Sequence, residues 1–259
     1  MNFDISELLR AWDYEPGKVL VRKFDTKDGT EKIQLRVDLG VLQMNLHGRP
    51  DGNKPHGHPS LYEHYQAKLH KHVEERGDDN DFVLQSEDCS QMQQEAIQYH
   101  HRYICNFQLE DYEAVLRDAE RNLEVFDFVQ EYAETDELAW SLQQFRPQLL
   151  LMQTRALGAT ALKQGDFEEA LGIVAAGLDQ IREFFSELSR EDWIDQCVEI
   201  QSLESWRDEI LAQRPLSERE QLERDLNDAV SREDYEKAAC VRDALRNLSP
   251  SKPSSEAAG

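Results

Sequence analysis

The sequence predicts a mainly α-helical protein with a small three-stranded antiparallel sheet near its N-terminus and a helical hairpin near its C-terminus. Only 12 of the 259 residues are glycine and 8 are proline, and apolar residues recur at helical spacing through most of the chain. Alternation of apolar and polar residues, interrupted at Gly40, runs through residues 31–46. The chain is long enough to bury a substantial core.

The predicted sheet is a meander whose first turn contains Asp28-Gly29, a dipeptide typical of a β-hairpin. Three runs are predicted as strands: residues 18–24, 31–38 and 42–46. In the second run Ile33 and Leu35 alternate with polar residues, which indicates one buried face. A sheet this small is not stable alone, so we expect the helix predicted over Ser60–Glu75 to cover it.

The middle of the chain is predicted to form helical hairpins, because its apolar stripes are separated by short polar loops. Pro147 suits the first turn of one helix, and Asp166 suits the cap of the next. In an earlier helix the expected core residues are Tyr99 and Tyr103, and the expected surface residues are His100, His101 and Arg102. Four parts are predicted: an α+β unit over residues 1–80, a helical domain over 87–214, a hairpin over 215–248 and a disordered tail over 249–259.

The helical middle has a weak resemblance to the tetratricopeptide repeat (TPR). Leu157-Gly158 is followed by the second-helix start GDFEEAL at residues 165–171, and residues 110–115 repeat that start as EDYEAV. Arg102 stands where the repeat would place a glycine. The sequence therefore leaves two alternatives, a TPR-like stack of hairpins and a helical bundle without repeats.

The C-terminal hairpin carries the most specific pattern. Ser217 and Glu220 form an S-x-x-E capping box that predicts a helix start, and Asp234 is predicted to cap a second helix. The string from Glu233 to Leu245, EDYEKAACVRDAL, resembles the UvrB/UvrC (UVR) motif of excinuclease subunits B and C and of some Clp-protease-associated adaptors. The resemblance covers only the hairpin, from Pro215 to Leu248.

The resemblance implies that the hairpin pairs with the surface of another protein. The residues expected to bind that partner are Leu222, Leu226, Tyr235, Ala238, Ala239, Arg242, Asp243 and Leu245. An excinuclease subunit and a Clp-type protease component are the two kinds of partner that the family implies. We therefore expect a protein–protein interaction adaptor or scaffold, with an accessory factor of nucleotide-excision repair acting at DNA as the alternative.

The charge argues against a surface for nucleic acid or anionic membranes. The formal net charge is −23, and residues 81–214 carry 10 basic and 28 acidic side chains, a net charge of −18. Binding to phosphates requires clustered lysine and arginine, which this segment lacks. We therefore expect no direct contact with nucleic acid and no membrane association.

No catalytic, cofactor or metal site is predicted. Six of the eight histidines lie between His47 and His72, but no metal-binding motif accompanies them, so they are interpreted as surface residues; a metal-dependent enzyme is the less favoured alternative. The loop over residues 48–55 is interpreted as a turn, with anion binding by Arg49 and Lys54 as the alternative. The four separated cysteines and the polar N-terminus predict a cytoplasmic protein.

Overall fold

The computed structural model describes residues 4–248, apart from the side chain of Asn247, so the predicted tail over residues 249–259 lies outside it. Three strands are present: β1 (Leu20–Asp25), β2 (Glu31–Val37) and β3 (Gly40–Asn45). The described α-helices are α1 (Ser6–Ala11), α2 (Leu61–Arg76), α3 (Ser86–Gln108), α4 (Tyr112–Tyr132), α5 (Asp136–Gln143), α6 (Arg146–Lys163), α7 (Phe167–Glu187), α8 (Val198–Gln213), α9 (Glu218–Ser231) and α10 (Tyr235–Asn247). The predicted fold class is confirmed.

Two features of the helical part differ from the prediction. Helix α5 was not predicted, because its eight residues present too short an apolar pattern. The apolar pattern before the hairpin predicts a last helix over roughly residues 193–211, but the helix begins at Val198, because residues Glu191–Gln196 form a 3-10 helix. The chain divides into two compact units between Glu209 and Ile210.

The sheet is an antiparallel meander in the order β1-β2-β3. Ile33 of β2 pairs with Lys23 of β1 and with Met44 of β3. In the predicted turn, Gly29 has a φ of 80°, which glycine adopts without strain. Hydrogen bonds from Thr26 and Thr30 lower the pKa of Asp28 to about 2. The folded turn therefore favours the ionised carboxylate of Asp28.

Helix α3 covers the buried face of the sheet. One hydrophobic cluster joins the two elements: Ile33, Leu35, Met44 and Cys105. Leu61 and Tyr65 of α2 belong instead to the main core between the helices. The prediction that the helix over residues 60–75 covers the sheet is therefore wrong. Its apolar stripe packs against other helices, which an amphipathic pattern alone cannot distinguish from packing on a sheet.

Arg102 lies in the protein interior, so its predicted surface position is wrong. Its side chain is 1% exposed. The guanidinium donates two hydrogen bonds to Asp118, Nε to Oδ2 at 2.7 Å and Nη2 to Oδ1 at 2.8 Å. Nη1 donates to the carbonyl oxygens of Asn45 at 3.0 Å and Gly48 at 2.7 Å. Arg102 therefore joins α3 and α4 to the segment that follows β3.

A second buried carboxylate, that of Glu95 in α3, holds the start of α2. Its Oε2 accepts a hydrogen bond of 2.9 Å from the backbone N–H of Leu61 and lies 3.0 Å from Nε of Arg49. Its Oε1 pairs with Arg121 of α4. Arg49 thus pairs with the Glu95 carboxylate. Its carbonyl oxygen accepts a hydrogen bond of 2.9 Å from the N–H of Gly52, which closes a tight turn, as the turn interpretation expects.

Three hairpin turns have the same geometry. In each, the side chain of an aspartate caps the second helix by accepting a hydrogen bond from the backbone N–H of the residue three positions later. These aspartates are Asp111 before α4, Asp166 before α7 and Asp234 before α10. The residue before each aspartate has a positive φ: Glu110, Gly165 and Glu233. The aspartate caps predicted at Asp166 and Asp234 are confirmed. A TPR-like stack stays a prediction, since a shared turn does not by itself define that repeat.

Glycine allows α6 to approach its neighbours closely. A Cβ atom on Gly158 would lie 2.6 Å from the ring of Trp206 in α8. One on Gly177 of α7 would overlap the side chain of Thr154 in α6. The Thr154 hydroxyl donates to the carbonyl oxygen of Leu150 at 2.7 Å, so it is not free to move aside. The packing of α6 against α7 therefore depends on Gly177.

We expect Gly177→Ala to destabilise the protein by about 1–3 kcal/mol, because the added methyl group overpacks this helix contact. The matched control is Gly172→Ala on the same helix, where an added Cβ has no neighbour within 4 Å. That substitution should stabilise by roughly 0.5–1 kcal/mol through helix propensity. Urea unfolding of both variants measures the difference, and equal stabilities would contradict the close approach.

Candidate functional site

Helices α9 and α10 lie in the second compact unit of the chain and form a hairpin. The predicted capping box at its start is confirmed. The Ser217 hydroxyl accepts a hydrogen bond of 3.2 Å from the backbone N–H of Glu220, and the Glu220 carboxylate accepts one of 2.8 Å from the N–H of Ser217. Hydrogen bonds from Ser217, and then from Arg214, lower the pKa of Glu220 to about 2.

The turn between the helices reverses the chain within three residues. Glu233 has a φ of 57°, and the N–H of Asp234 donates to the carbonyl oxygen of Ala229 at 2.9 Å. The Asp234 carboxylate then accepts a hydrogen bond of 3.1 Å from the N–H of Lys237 at the start of α10. Both helices therefore begin with a side-chain cap that is encoded locally in the sequence.

The hairpin buries little of its apolar surface. Among the side chains of the hairpin that the structure describes, two are buried, Ala229 and Ala238, whose small size allows the helices to approach closely. Val230 is 52% exposed and Tyr235 is 70% exposed, although both are apolar residues of the hairpin helices. Val230 lies near the end of α9 and Tyr235 begins α10, so both ends next to the turn carry an exposed apolar side chain, and clustered apolar exposure of this kind is typical of an interaction surface.

The predicted partner-binding residues occupy three kinds of position. Tyr235, Arg242 and Asp243 are exposed, and the last two form an ion pair at 3.4 Å. The half-buried ones are Leu222, Leu226, Ala239 and Leu245. Ala238 is buried, so it offers little surface to a partner and contributes to packing within the hairpin. Val230 was not predicted as a contact residue, and its place directly before the turn is the signal that could have indicated its exposure.

Three histidines from the N-terminal segment lie together. The ring of His64 stacks on that of His56 at a centroid distance of 4.2 Å and lies 5.2 Å from that of His58. Burial, and then the neighbouring His56, lower the pKa of His64. Even so, no group of three ligand side chains within residues 4–248 is arranged to hold a metal ion.

A largely apolar cavity of about 340 Å³ lies between α3, α4, α5 and α6. His100 lines it, with Nδ1 2.6 Å from the hydroxyl oxygen of Tyr103. Burial lowers the pKa of His100 to about 4, so the imidazole is neutral at pH 7. The predicted surface position of His100 is therefore only partly correct, since its side chain is half-buried.

Two further observations concern the environment of the protein. No helix in the described part of the chain is long and apolar enough to cross a membrane. All four cysteines are free thiols, and three of them, Cys89, Cys105 and Cys197, are buried. Burial raises the pKa of Cys89 to about 11 and that of Cys105 to about 12, which suppresses their reactivity.

Comparison with known proteins identifies the hairpin. The family model described as the UvrB/uvrC motif matches residues 217–249, which begin at the capping serine of α9 and extend past α10. No curated protein and no solved structure matches the chain. The matched segment contains both helix caps and the alanines between the helices. The C-terminal hairpin of this chain is therefore a UvrB/UvrC motif.

Proposed function

We propose that this protein is a cytoplasmic, non-enzymatic adaptor that docks another protein through the hairpin of α9 and α10. The observation that carries the proposal is the exposure of this hairpin's apolar residues, above all Tyr235 at 70%. Tyrosine is enriched at protein interfaces because it combines a large apolar ring with a hydroxyl group. The helical surface of residues 87–214 would serve as the second part of the adaptor.

The size of the hairpin supports docking. Its helices have 14 and 13 residues, a length at which an isolated helix is marginal in water. Additional stability must come from packing, yet Leu222, Leu226 and Leu245 remain only half-buried. A partner surface that covered them would add hydrophobic burial at about 25 cal/mol per Å². An excinuclease subunit or a Clp-type protease component is the kind of partner that we propose.

Charge disfavours the alternative of direct action at DNA. Residues 217–248 carry 6 basic and 9 acidic side chains, and the ion pairs within the hairpin already engage Arg219 and Arg242 with carboxylates. Together with the net charge of −18 over residues 81–214, this surface repels a phosphate backbone. A place in a repair complex would then depend on contact with another protein.

Deleting residues 215–248 tests the proposal. We expect a pull-down from native lysate to lose its specific partner, while the remaining chain keeps its cooperative melting, because residues up to Glu209 form their own compact unit. Circular dichroism and thermal melting of the deletion variant provide the control. Recovery of every partner by a well-folded deletion variant would refute docking by the hairpin.

A matched DNA experiment separates the two functions. We expect the full chain to show no duplex binding at physiological salt. Micromolar affinity that falls steeply as salt increases would instead support the repair factor acting at DNA.

Early melting of the deletion variant would show that the hairpin belongs to the folded core, which also contradicts a separable docking element.

A further inference from the structure

A cavity with aromatic walls lies outside the hairpin, between α5, α7 and the 3-10 helix at residues 191–196. It has a volume of about 470 Å³, within the usual range of ligand sites. Four aromatic rings line it: Trp140, Phe184, Phe185 and Trp193. The Trp193 ring lies 5.9 Å from that of Trp140 and 6.3 Å from that of Phe185, with interplanar angles of 57° and 70°. The rings therefore present surfaces in several directions rather than one stack.

Besides the indole N–H groups of its tryptophans, the polar groups that line this cavity are one carboxylate, two amides and one thiol. The Glu199 carboxylate lines it and accepts a hydrogen bond of 3.3 Å from the thiol of Cys197. Gln144 and Gln196 also line it. Lysine and arginine are absent from the lining residues. A carboxylate beside several aromatic faces favours a positively charged group, because the face of an aromatic ring carries negative potential.

The Trp193 ring already contacts a cation of the same chain, Arg190, which does not itself line the cavity. The guanidinium carbon of Arg190 lies 4.8 Å from the centroid of the Trp193 ring. The surrounding sequence is otherwise acidic, since residues 183–199 carry six acidic side chains and Arg190 is their one basic residue. The local field therefore attracts cations toward the cavity mouth, where Val198 is 66% exposed.

We propose that this cavity binds a basic side chain, arginine or lysine, from a partner polypeptide. The aromatic rings and Pro147 would contact the aliphatic stem, and the Glu199 carboxylate would accept hydrogen bonds from the charged end. A bare metal cation would leave the apolar walls unused. The inference rests on the proposed adaptor function and adds the chemistry of the partner segment.

Short peptides test this site on the full chain. The probes are acetyl-Ala-Ala-Arg-Ala-Ala-amide and the same peptide with citrulline, which is nearly isosteric but uncharged. We expect millimolar or tighter binding of the arginine peptide by calorimetry, about tenfold tighter than that of the citrulline peptide. Equal binding of the two peptides, or no binding of the arginine peptide at millimolar concentration, would overturn the proposal.

Single substitutions test whether the arginine peptide binds in this cavity. Glu199→Gln should weaken the arginine peptide about fivefold or more, and Trp193→Leu about tenfold or more. Glu120→Gln makes the same charge change at an exposed site of α4 and should leave binding unchanged. An unaltered affinity in Glu199→Gln, or an equal loss in Glu120→Gln, would rule out this cavity. Since the hairpin variants do not touch these residues, the proposed docking and this inference can fail separately.

Discussion

Replacing Arg102 with methionine is expected to lower the free energy of unfolding by about 3–5 kcal/mol. The substitution keeps a long side chain in the core but leaves Asp118, which is 1% exposed, with Arg117 as its remaining cationic neighbour. The carbonyl oxygens of Asn45 and Gly48 also lose their hydrogen-bond donor. Urea unfolding, followed by circular dichroism, measures the loss.

Two further variants separate the buried charge from other effects. Arg207→Met removes a half-exposed arginine that pairs with the exposed carboxylate of its neighbour Asp208, so its cost should stay below about 1 kcal/mol. The double variant Arg102→Met with Asp118→Leu should recover part of the loss, because no uncompensated charge remains in the core. A cost below about 1 kcal/mol for Arg102→Met alone would show that water reaches Asp118 in solution.

Elements with local signals were predictable from the sequence. The turn at Asp28-Gly29, the capping box at Ser217 and the cap at Asp234 each depend on residues within four positions of one another. Their hydrogen bonds form as soon as the backbone adopts the local geometry. The same locality explains why the UvrB/UvrC hairpin was recognisable while the rest of the chain was assigned only to a fold class.

Features that depend on distant residues were not predictable. Arg102 meets Asp118 across two helices and carbonyl groups more than fifty residues away, so nothing near it in the sequence indicates burial. An arginine on a helix is normally interpreted as a surface residue. The prediction of which helix covers the sheet was wrong for a similar reason. An apolar stripe indicates that one face of a helix is buried, but not which element that face contacts.

The aromatic cavity was not predictable from the sequence either, because its lining residues are distant along the chain. Trp140 lies about fifty residues before Trp193, and the two rings meet only after α5 and the 3-10 helix at residues 191–196 have come together in the fold. Neither tryptophan belongs to a local motif. In the hairpin, by contrast, the exposed Tyr235 was identified from its place in a motif, although its exposure depends on how α9 and α10 pack.

Tyr235→Ser is expected to weaken partner binding about a hundredfold while leaving the melting temperature nearly unchanged. An aromatic residue at the centre of an interface often contributes a few kcal/mol to affinity. At 70% exposure, the ring of Tyr235 gains little from packing within the protein itself, so its loss should cost little stability. Quantitative recovery of the partner over a dilution series measures the affinity.

Matched variants decide whether the ring itself makes the contact. Tyr235→Phe keeps the aromatic surface and should retain most of the affinity, whereas Arg219→Ala, on the exposed surface of α9, should retain all of it. If Tyr235→Ser binds as well as the unaltered chain, the contact must lie elsewhere on the hairpin, with the exposed Val230 as the next residue to replace. If Tyr235→Ser instead melts early, the ring stabilises the hairpin, and its exposure does not mark an interface.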